Sequence, residues 1–357
     1  MKICLISRKF DINSGSAEWI YASFLDKEFN RRNITVYKIS EPHLLLRIGK
    51  FGKIIHDWLF IPLALFKVRI FNKCDIFFFL SENQAIYCII LNIILNASTI
   101  CYFHDLMRIK KKKKTLDSFY FKIIYWLATK AKLLIVNSTS TKEDIVSFFS
   151  VAEKKIFIIP PIYRQLKPLH RIKNKITVGY LGALYKRKRP EKLIELAEEL
   201  KRSGKNDVEI HVWGKGPMYD LLNSYAKNNP NFKVLGFAPE GEIERIYNSF
   251  HFFIFPSKYE GFGLPVIEAL MCGIPTLVLS DAYIPEEVKS CCTVYSNVKE
   301  MIQDIYMFMQ NKEKYNEISM RAESNAKNFN MDVNVTKILK IINSLETKHL
   351  KQFNACK

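Results

Sequence analysis

The sequence predicts an α/β protein made of two domains, each built on a doubly wound parallel sheet. Two observations support this class. Short apolar runs typical of strands alternate with amphipathic segments of helical period, and the alternation stops and restarts once along the chain. The 357 residues also correspond to about two domains of ordinary size. Strands separated by helices run parallel, so helices should cover both faces of each sheet.

The N-terminal half follows this alternation from its first residues. Its opening run predicts a strand, and apolar residues from Trp19 to Phe29 then recur at helical spacing. The predicted strands are 2–7, 34–39, 75–80, 99–103 and 133–137, and the first helix is 17–30. Pro160, Pro161 and a basic, aperiodic stretch up to residue 175 interrupt the pattern, which indicates a linker between domains.

The C-terminal half repeats the pattern. The predicted strands are 176–181, 208–213, 233–235 and 252–255, with helices over 190–202 and from 217. A last helix, 332–345, is predicted from the helical spacing of its apolar residues: Val335, Ile338, Leu339, Ile341, Ile342 and Leu345. The sequence therefore predicts one domain over 1–165, a second over 166–331, and a C-terminal helix and tail over 332–357.

The composition fits globular domains and adds a strong positive charge. Apolar residues make up 48% of the chain and charged residues 25%, which excludes a disordered, collagen-like or coiled-coil protein. The 54 Lys and Arg against 35 Asp and Glu leave a formal charge of +19. This charge favours an anionic partner such as nucleic acid, a membrane surface or a phosphorylated ligand. The eight cysteines form no C-x-x-C pair, so no zinc or redox site is predicted.

Nothing in the sequence predicts export or a membrane span. The apolar run at the N-terminus is too short for the core of a signal peptide. The two most apolar regions, 58–66 and 76–103, are interrupted by Pro62 and by polar residues such as Glu82 and Asn92. Neither region provides the ~20 apolar residues of a spanning helix. A cytoplasmic protein is expected.

The most informative segment is 255–276. An apolar strand leads into a loop with Gly261 and Gly263, and Pro265 fits the first turn of a helix that Gly273 ends. Glycines allow the backbone to approach a ligand closely, and a helix start offers unpaired N–H groups and a partial positive charge. This strand, loop and helix predict a phosphate site.

Two glutamates flank the predicted phosphate site. Glu260 lies in the loop, and Glu268 is predicted in the first turn of the helix. A carboxylate next to a diphosphate is repelled unless it accepts hydrogen bonds from hydroxyl groups. A ribose diol and a sugar ring both supply such hydroxyls, so a nucleotide sugar fits the pattern.

Glu260 and Glu268 have seven residues between them within E-G-F-G-L-P-x-x-E-A-L-x-C-G-x-P. This segment resembles the E-x7-E signature of retaining glycosyltransferases of the GT-B fold, family 4 type. Residues 178–182 with Lys188, the turn 213–217, and segments 136–138 and 158–160 also resemble parts of that family. The resemblance implies two Rossmann-like doubly wound domains that face each other across a cleft. It also implies an N-terminal acceptor domain, a C-terminal donor domain, and a last helix that crosses back to the N-terminal domain.

The resemblance also implies roles for individual residues. The catalytic residues would be Glu260, His104 and Lys188. The donor-binding residues would be Glu268, Phe262, Gly263, Leu264, Arg187, Gly15 and Gly182. Among these, Glu268 would bind the donor ribose, Glu260 the hexose hydroxyls and Lys188 the diphosphate.

No metal or other cofactor is expected. The chain has no D-x-D pair and no histidine pair at metal-ligand spacing, so Lys188 and the helix start would replace a cation. Members of the family commonly carry an arginine where this chain has Ala183. Its substitute would be one of three neighbouring cations: Lys186, Arg187 or Arg189.

These features predict transfer of a hexose from a nucleoside diphosphate sugar to a glycan or lipid-linked acceptor, with retention of the anomeric configuration. A non-catalytic nucleotide-sugar-binding member of the same fold is an alternative, as is a related isomerase or phosphorylase. The charge also leaves a nucleic-acid-binding protein open. The sequence shows no helix-turn-helix, zinc finger or RNA-binding aromatic signature, so no nucleic-acid partner is expected.

A basic run precedes an aromatic helical segment in the N-terminal half. Lys110, Lys111, Lys112, Lys113 and Lys114 are followed by residues 119–127, which are rich in Phe, Tyr and Ile. Such runs are usually solvated, but cations beside an aromatic amphipathic surface are typical of interfacial membrane contact. Two interpretations stay open: a solvated surface, or a peripheral protein on the inner face of the cell membrane with a lipid-linked acceptor.

Overall fold

The computed structural model describes residues 2–11, 16–40, 60–110, 116–169, 175–205 and 207–355. The chain forms two compact units: unit 1 contains residues 1–163 and 331–357, and unit 2 contains residues 164–330. The described residues of each unit build one six-stranded sheet. The predicted α/β class with two doubly wound sheets is confirmed. The observed unit boundaries at 163/164 and 330/331 compare with the predicted ones at 165/166 and 331/332.

The sheet of unit 1 has the strand order β2-β1-β3-β4-β5-β6, with all neighbours parallel. Its strands are β1 (Lys2–Ile6), β2 (Thr35–Ile39), β3 (Ile76–Phe79), β4 (Ser98–Phe103), β5 (Leu133–Val136) and β6 (Ile156–Ile158). The described helices between them are α1 (Ala17–Arg31), α2 (Ile61–Ile70), α3 (Cys88–Ile93), α4 (Met107–Lys110), α5 (Leu116–Ala128) and α6 (Thr139–Phe149). Strands β3 and β4 are buried along their whole length, because helices cover both faces of a parallel sheet.

The sheet of unit 2 has the order β12-β11-β10-β7-β8-β9, again with parallel neighbours. Its strands are β7 (Ile176–Leu181), β8 (Val208–Trp213), β9 (Phe232–Gly236), β10 (Phe252–Phe255), β11 (Thr276–Leu279) and β12 (Thr293–Tyr295). The described helices are α7 (Glu191–Arg202), α8 (Tyr219–Lys227), α9 (Ile243–Tyr247), α10 (Leu264–Met271), α11 (Glu286–Lys289), α12 (Val298–Gln310) and α13 (Lys312–Ala326). The strand order reverses between β10 and β7, which lie side by side.

All nine strands predicted from the sequence are present, each within one residue of its predicted bounds at either end. Strands β6, β11 and β12 were not predicted, and they have only three or four residues. Runs that short show no clear period. Strand β11 also begins directly after Pro275, close to Gly273, where the pattern predicts only the end of a helix.

The last helix, α14 (Met331–Ala355), belongs to unit 1 although unit 2 precedes it in the chain. Its buried residues Val335, Ile338 and Ile342 share one apolar core with Ile3 of β1 and Tyr21 of α1. Arg31 and Arg32 also bond the carboxylate of Asp332, with N–O distances of 2.6 and 3.0 Å. The predicted return of the C-terminal helix to the N-terminal domain is confirmed.

This packing predicts that α14 stabilises unit 1. Ile338→Ala should lower the free energy of unfolding by about 2–5 kcal/mol, because the substitution leaves a cavity at a fully buried position. Val333→Ala, at a half-exposed position of the same helix, should change it by less than about 0.5 kcal/mol. Urea unfolding of both variants measures the difference. Equal effects would contradict the packing role of α14.

Candidate functional site

The candidate site of unit 2 lies at the point where the strand order of its sheet reverses. Strands β7 and β10 pair there, and the loops at their carboxyl ends run from Gly182 to Arg189 and from Pro256 to Gly263. In doubly wound sheets, ligands bind in the crevice that such loops form. The first loop carries Lys188 and the second carries Glu260, so the topology brings these two predicted residues together.

Glu260 forms two ion pairs with the neighbouring loop. Its Oε1 atom lies 2.9 Å from Nζ of Lys188 and 3.0 Å from Nη1 of Arg187. The Lys188 and Glu260 side chains are each only 10% exposed, whereas that of Arg187 is 51% exposed. Two cations against one carboxylate leave this cluster with a net positive charge. An anion would therefore be attracted to it.

The charges of the cluster also set the protonation of Glu260. Burial by itself would raise the pKa of this carboxyl group, but the nearby Lys188 and Arg187 charges outweigh burial and hold the pKa below its ordinary value. Glu260 is thus a carboxylate at neutral pH. A carboxylate oxygen has more than one lone pair, so Glu260 can accept further hydrogen bonds from hydroxyl groups.

Arg189 ties the two loops to each other. Its Nε donates to the carbonyl oxygen of Pro256 at 2.6 Å, and its two terminal nitrogens donate to both oxygens of Asp281 at 2.9 Å. Hydrogen bonds from Arg189 and Lys258 lower the pKa of Asp281 to about 2. Of the cations that were expected to replace an arginine at Ala183, Arg189 is therefore engaged elsewhere, whereas Arg187 lies at Glu260.

Gly182 supports the first loop through its backbone. Its N–H donates to the carbonyl of Trp213 at 3.0 Å, so this amide is already used. The turn after β8 packs against the same loop so closely that a Cβ on Gly214 would lie 1.9 Å from the oxygen of Gly182. Gly214 has a φ of 152°, which other residues rarely adopt. These glycines fix the backbone that leads to Lys188.

The start of α10 is the predicted phosphate site. Gly263 precedes the helix with a φ of 99°, Leu264 is the first helical residue, and Pro265 is the second. The start of a helix leaves backbone N–H groups without an i−4 partner; in this first turn the N–H of Val266 donates to the carbonyl of Gly263 at 2.9 Å. Phe262 is buried with its ring edge-to-face against Phe329, at 5.9 Å between ring centroids.

A shared aromatic ring connects this helix start with Lys188. The Nζ atom of Lys188 lies 5.6 Å from the centroid of Phe255. A Cβ on Gly263 would lie 3.9 Å from the same ring. The ammonium group of Lys188 and the start of α10 therefore both lie next to the ring of Phe255.

Glu268 lies in a different environment from Glu260. It is the fifth residue of α10, which places it in the second turn rather than the predicted first one, because the helix begins immediately after Gly263. Its carboxylate is 2% exposed and accepts hydrogen bonds from Nη1 of Arg164 at 2.5 Å and from Oη of Tyr247 at 2.8 Å. These partners are not those of Glu260, so the two glutamates serve separate clusters.

Sequence reasoning missed Arg164 and Tyr247. Arg164 stands among the basic residues that follow Pro161, and Tyr247 lies on the apolar side of a five-residue helix. Neither position belongs to a recognisable motif. Of these contacting residues, only Glu268 belongs to a recognisable sequence motif. Arg164 and Tyr247 are identified by their tertiary contacts with it.

His104 is the one predicted site residue of the described part of unit 1, where it follows β4. Its Nε2 lies 2.8 Å from the carbonyl oxygen of Leu80, and its ring packs 4.9 Å from that of Tyr102. Its backbone N–H donates to Glu82 at 3.3 Å. Burial, followed by the charge of Asp105, raises the pKa of Glu82 to about 8. Sequence reasoning treated Glu82 only as a polar interruption of an apolar region.

Gly15, Lys111, Lys112, Lys113 and Lys114 lie outside the described residues. Lys110 pairs with Asp144 at 2.6 Å. Within the described ranges, no three His, Cys, Asp or Glu side chains gather as metal ligands, and none of the described helices is long and apolar enough to cross a bilayer.

Two family models match the chain in the same order as its units. Residues 20–163 match the model described as Glycosyltransferase Family 4, and residues 164–325 match the model described as Glycosyl transferases group 1. The two matches meet where unit 1 gives way to unit 2. The chain therefore carries a glycosyltransferase family 4 domain followed by a glycosyltransferase group 1 domain, and the predicted resemblance is confirmed at this level.

Curated relatives match parts of the chain. The serotype-specific mannosyltransferase WbdA of Escherichia coli is 25% identical over 214 residues, which are 53% of this chain and 26% of that protein. The poly(ribitol-phosphate) alpha-N-acetylglucosaminyltransferase of Staphylococcus aureus is 27% identical over 209 residues, 56% of this chain and 41% of that protein. The chain thus spans about a quarter of the length of the mannosyltransferase and less than half of the second relative.

Solved structures show the same fold at low identity. Anabaena Alr3699/HepE, solved in complex with UDP and glucose, has a TM-score of 0.72 at 15% identity and covers 96% of this chain and 100% of its own. WaaG, a glycosyltransferase involved in lipopolysaccharide biosynthesis, has a TM-score of 0.70 at 14% identity, covering 95% of this chain and 99% of its own. These GT-B neighbours agree with the two parallel sheets described above.

The ion pairs of Glu260 predict a measurable titration. Its folded pKa is below the ordinary value of 4.5, so the ionised group stabilises the fold above pH 4.5 and this stabilisation is lost as the pH falls through the folded pKa. Lys188→Met should raise the pKa of Glu260, because less positive charge then counteracts the effect of burial on this carboxyl group. Lys258→Met, which removes an ammonium group that pairs with Asp281 at 2.7 Å, should leave it unchanged. Carboxyl carbon NMR titration distinguishes the two, and an unshifted Glu260 in Lys188→Met would contradict the cluster.

Proposed function

We propose that this glycosyltransferase moves a hexose from a nucleoside diphosphate sugar to a hydroxyl group of a glycan or lipid-linked acceptor. One observation supports the proposal above the others. Lys188, Arg187 and Glu260 form a net-positive cluster at the strand-order reversal of unit 2, near the start of α10. Such a cluster offers cations for a diphosphate and a carboxylate for sugar hydroxyls.

In this proposal the diphosphate binds at Lys188 and at the backbone amides of Phe262, Gly263 and Leu264. The departing nucleoside diphosphate gains negative charge as its bond to the sugar breaks. An ammonium group and helix-end amides stabilise that charge more in the transition state than in the bound substrate, which lowers the barrier. Glu260 would accept hydrogen bonds from the hexose, and Glu268 from the ribose.

We further propose that the anomeric configuration is retained through substitution on one face of the sugar. The acceptor oxygen attacks the anomeric carbon from the side on which the diphosphate leaves. One carbon–oxygen bond breaks, another forms, and the acceptor proton passes to a diphosphate oxygen. A covalent route would need a free carboxylate on the opposite face, whereas Glu260 is held in two ion pairs.

The proposed reaction does not require a metal ion. A divalent cation commonly neutralises the diphosphate in phosphate chemistry. Here Lys188 and Arg187, together with the helix start, supply positive charge at the corresponding place. Chelation with EDTA should therefore leave the transfer rate unchanged.

The test begins with a panel of UDP-, GDP- and ADP-sugars screened for thermal stabilisation, because a ligand that binds only the folded state raises its melting temperature. With the donor identified, Glu260→Gln should lower kcat about a hundredfold, in the range seen when a transition-state contact is removed. Glu268→Gln should raise the donor KM about tenfold with a smaller change in kcat. Glu195→Gln, in an exposed pair on α7, is the control.

Each alternative function gives its own result in this test. Wild-type kinetics in both site variants would refute the residue assignment. Donor binding without transfer or hydrolysis indicates a non-catalytic member. Donor epimerisation without acceptor indicates an isomerase, and phosphate-dependent cleavage a phosphorylase. Salt-sensitive affinity for DNA without any response to sugar nucleotides indicates a nucleic-acid-binding protein.

An exposed apolar surface on unit 1 favours a membrane-presented acceptor. Helices α2, α3 and α5 pack their inner residues, such as Leu65, Leu91 and Ile124, into one core. Their outer residues include large exposed apolar side chains: Leu63, Phe66, Ile70, Ile90, Ile93, Ile94, Leu116, Phe119, Tyr120, Ile123 and Trp126. Clusters of exposed apolar side chains mark interaction sites. Lys130 lies over the ring of Trp126 at 4.3 Å, so one cation lies beside these apolar side chains.

We propose that this surface binds an anionic bilayer. Leu63→Glu, Ile93→Glu and Phe119→Glu, one on each helix, should each reduce sedimentation with phosphatidylglycerol vesicles several-fold, because each places a charge at the apolar interface. Met320→Glu, at an exposed apolar position of unit 2, should have no effect. Neutralising Lys110 and the lysines after it should weaken binding in low salt. Unchanged sedimentation in every variant would refute the surface.

A further inference from the structure

Arg164, the first residue of unit 2, binds two acidic side chains of that unit. Its Nε and Nη2 atoms donate to the two oxygens of Glu240 at 2.6 and 2.5 Å. Its Nη1 donates to Oε1 of Glu268 at 2.5 Å. The Arg164 side chain is only 14% exposed and that of Glu268 2%. One guanidinium group therefore serves two carboxylates, one of which is nearly inaccessible to water.

The second partner of Glu268 completes its orientation. Tyr247 is fully buried, and its hydroxyl donates to Oε2 at 2.8 Å. Burial, together with the Glu268 charge, raises the pKa of Tyr247 well above its ordinary value, so the phenol stays a donor. Arg164 holds one oxygen and Tyr247 the other. Each oxygen has two lone pairs, so each keeps acceptor capacity for a further donor.

The bond from Arg164 to Glu268 is not needed to attach the linker to unit 2. The backbone N–H of Lys167 donates to Glu244 at 2.9 Å, and that of Leu169 donates to Oδ1 of Asn248 at 2.7 Å. Asn248 also donates to the carbonyl of Lys167 at 2.9 Å. These bonds and the paired contacts with Glu240 anchor the segment. The additional contact with Glu268 therefore has a different consequence, which is to fix that carboxylate.

We infer that Arg164 is a positioning residue for the donor nucleotide. With Tyr247 it fixes the carboxylate of Glu268 so that the remaining lone pairs meet the 2′- and 3′-hydroxyls of the donor ribose. This inference rests on the proposed function, in which Glu268 binds that ribose. Arg164 supplies the charge that makes a buried carboxylate tolerable, since an unpaired one is strongly destabilising. The fork of its guanidinium sets the direction of the carboxylate.

The experiment pairs protein variants with ribose analogues. The probes are UDP, GDP and ADP, and then the 2′,3′-dideoxy analogue of the tightest of the three. Arg164→Met removes both the positive charge and the forked guanidinium group, whereas Arg164→Lys keeps the charge and removes the fork. Arg245→Met removes an exposed arginine of α9 that pairs only with the neighbouring Glu242 among its described contacts, and it serves as the matched control. Affinities come from calorimetry, and steady-state kinetics with the sugar donor give kcat and KM.

Arg164→Met should weaken the nucleoside diphosphate about tenfold, the scale of one hydrogen bond to a charged group, and Arg164→Lys should recover part of the loss. The dideoxy analogue should bind the wild type and Arg164→Met with equal affinity, because it lacks the two ribose hydroxyls that would contact Glu268. The donor KM should rise while kcat stays within about twofold. Where Arg164→Met does not fold, Tyr247→Phe deletes a single hydroxyl and should show the same dependence on the ribose hydroxyls.

Other outcomes overturn the inference. Equal weakening of both nucleotides in Arg164→Met would show a general structural effect. Tighter binding would show that Arg164 competes with the ribose instead of orienting its partner. If the wild type binds a nucleotide and Arg164→Met binds it with the same affinity, the positioning role is refuted and the proposed function is not. A wild type that binds none of the three nucleotides would refute the proposed function and the inference with it.

Discussion

The reversal of strand order between β7 and β10 is the constraint on which the site of unit 2 depends. Because these parallel strands are neighbours with loops leaving at the same edge, two segments about seventy residues apart in the chain meet. Glu260 pairs with Lys188 and Arg187 only because of this meeting. Arg189 reinforces it by bonding the carbonyl of Pro256 and the carboxylate of Asp281.

The two glutamates of the E-x7-E segment have different chemistry because their surroundings differ. Glu260 lies beside two cations that keep its pKa low, which suits a group that accepts hydrogen bonds beside a diphosphate. Glu268 lies deeper, between a guanidinium group and a phenol. Its accessible acceptor capacity is limited to the lone pairs that those partners leave. One segment of nine residues thereby carries two carboxylates with different partners.

The sequence predicted the sheets well because strands and helices are governed by local periodicity. Strands β7 and β8 have the predicted bounds, because β7 is a buried, mostly apolar run and β8 alternates apolar with polar residues. Strands β11 and β12 are too short for such a pattern. The position of Glu268 in the second turn of α10 was also missed, because the start of that helix depends on the left-handed backbone of Gly263.

The sequence by itself determined the fold class, the loop that carries Glu260 and the resemblance to glycosyltransferases, because these follow from residue type and spacing along the chain. Only the tertiary structure decided that Arg164 and Tyr247 hold Glu268, and that Arg187 and not Arg189 lies at Glu260. These contacts join residues far apart in the chain, and no local pattern encodes which distant partner a charged or aromatic side chain meets.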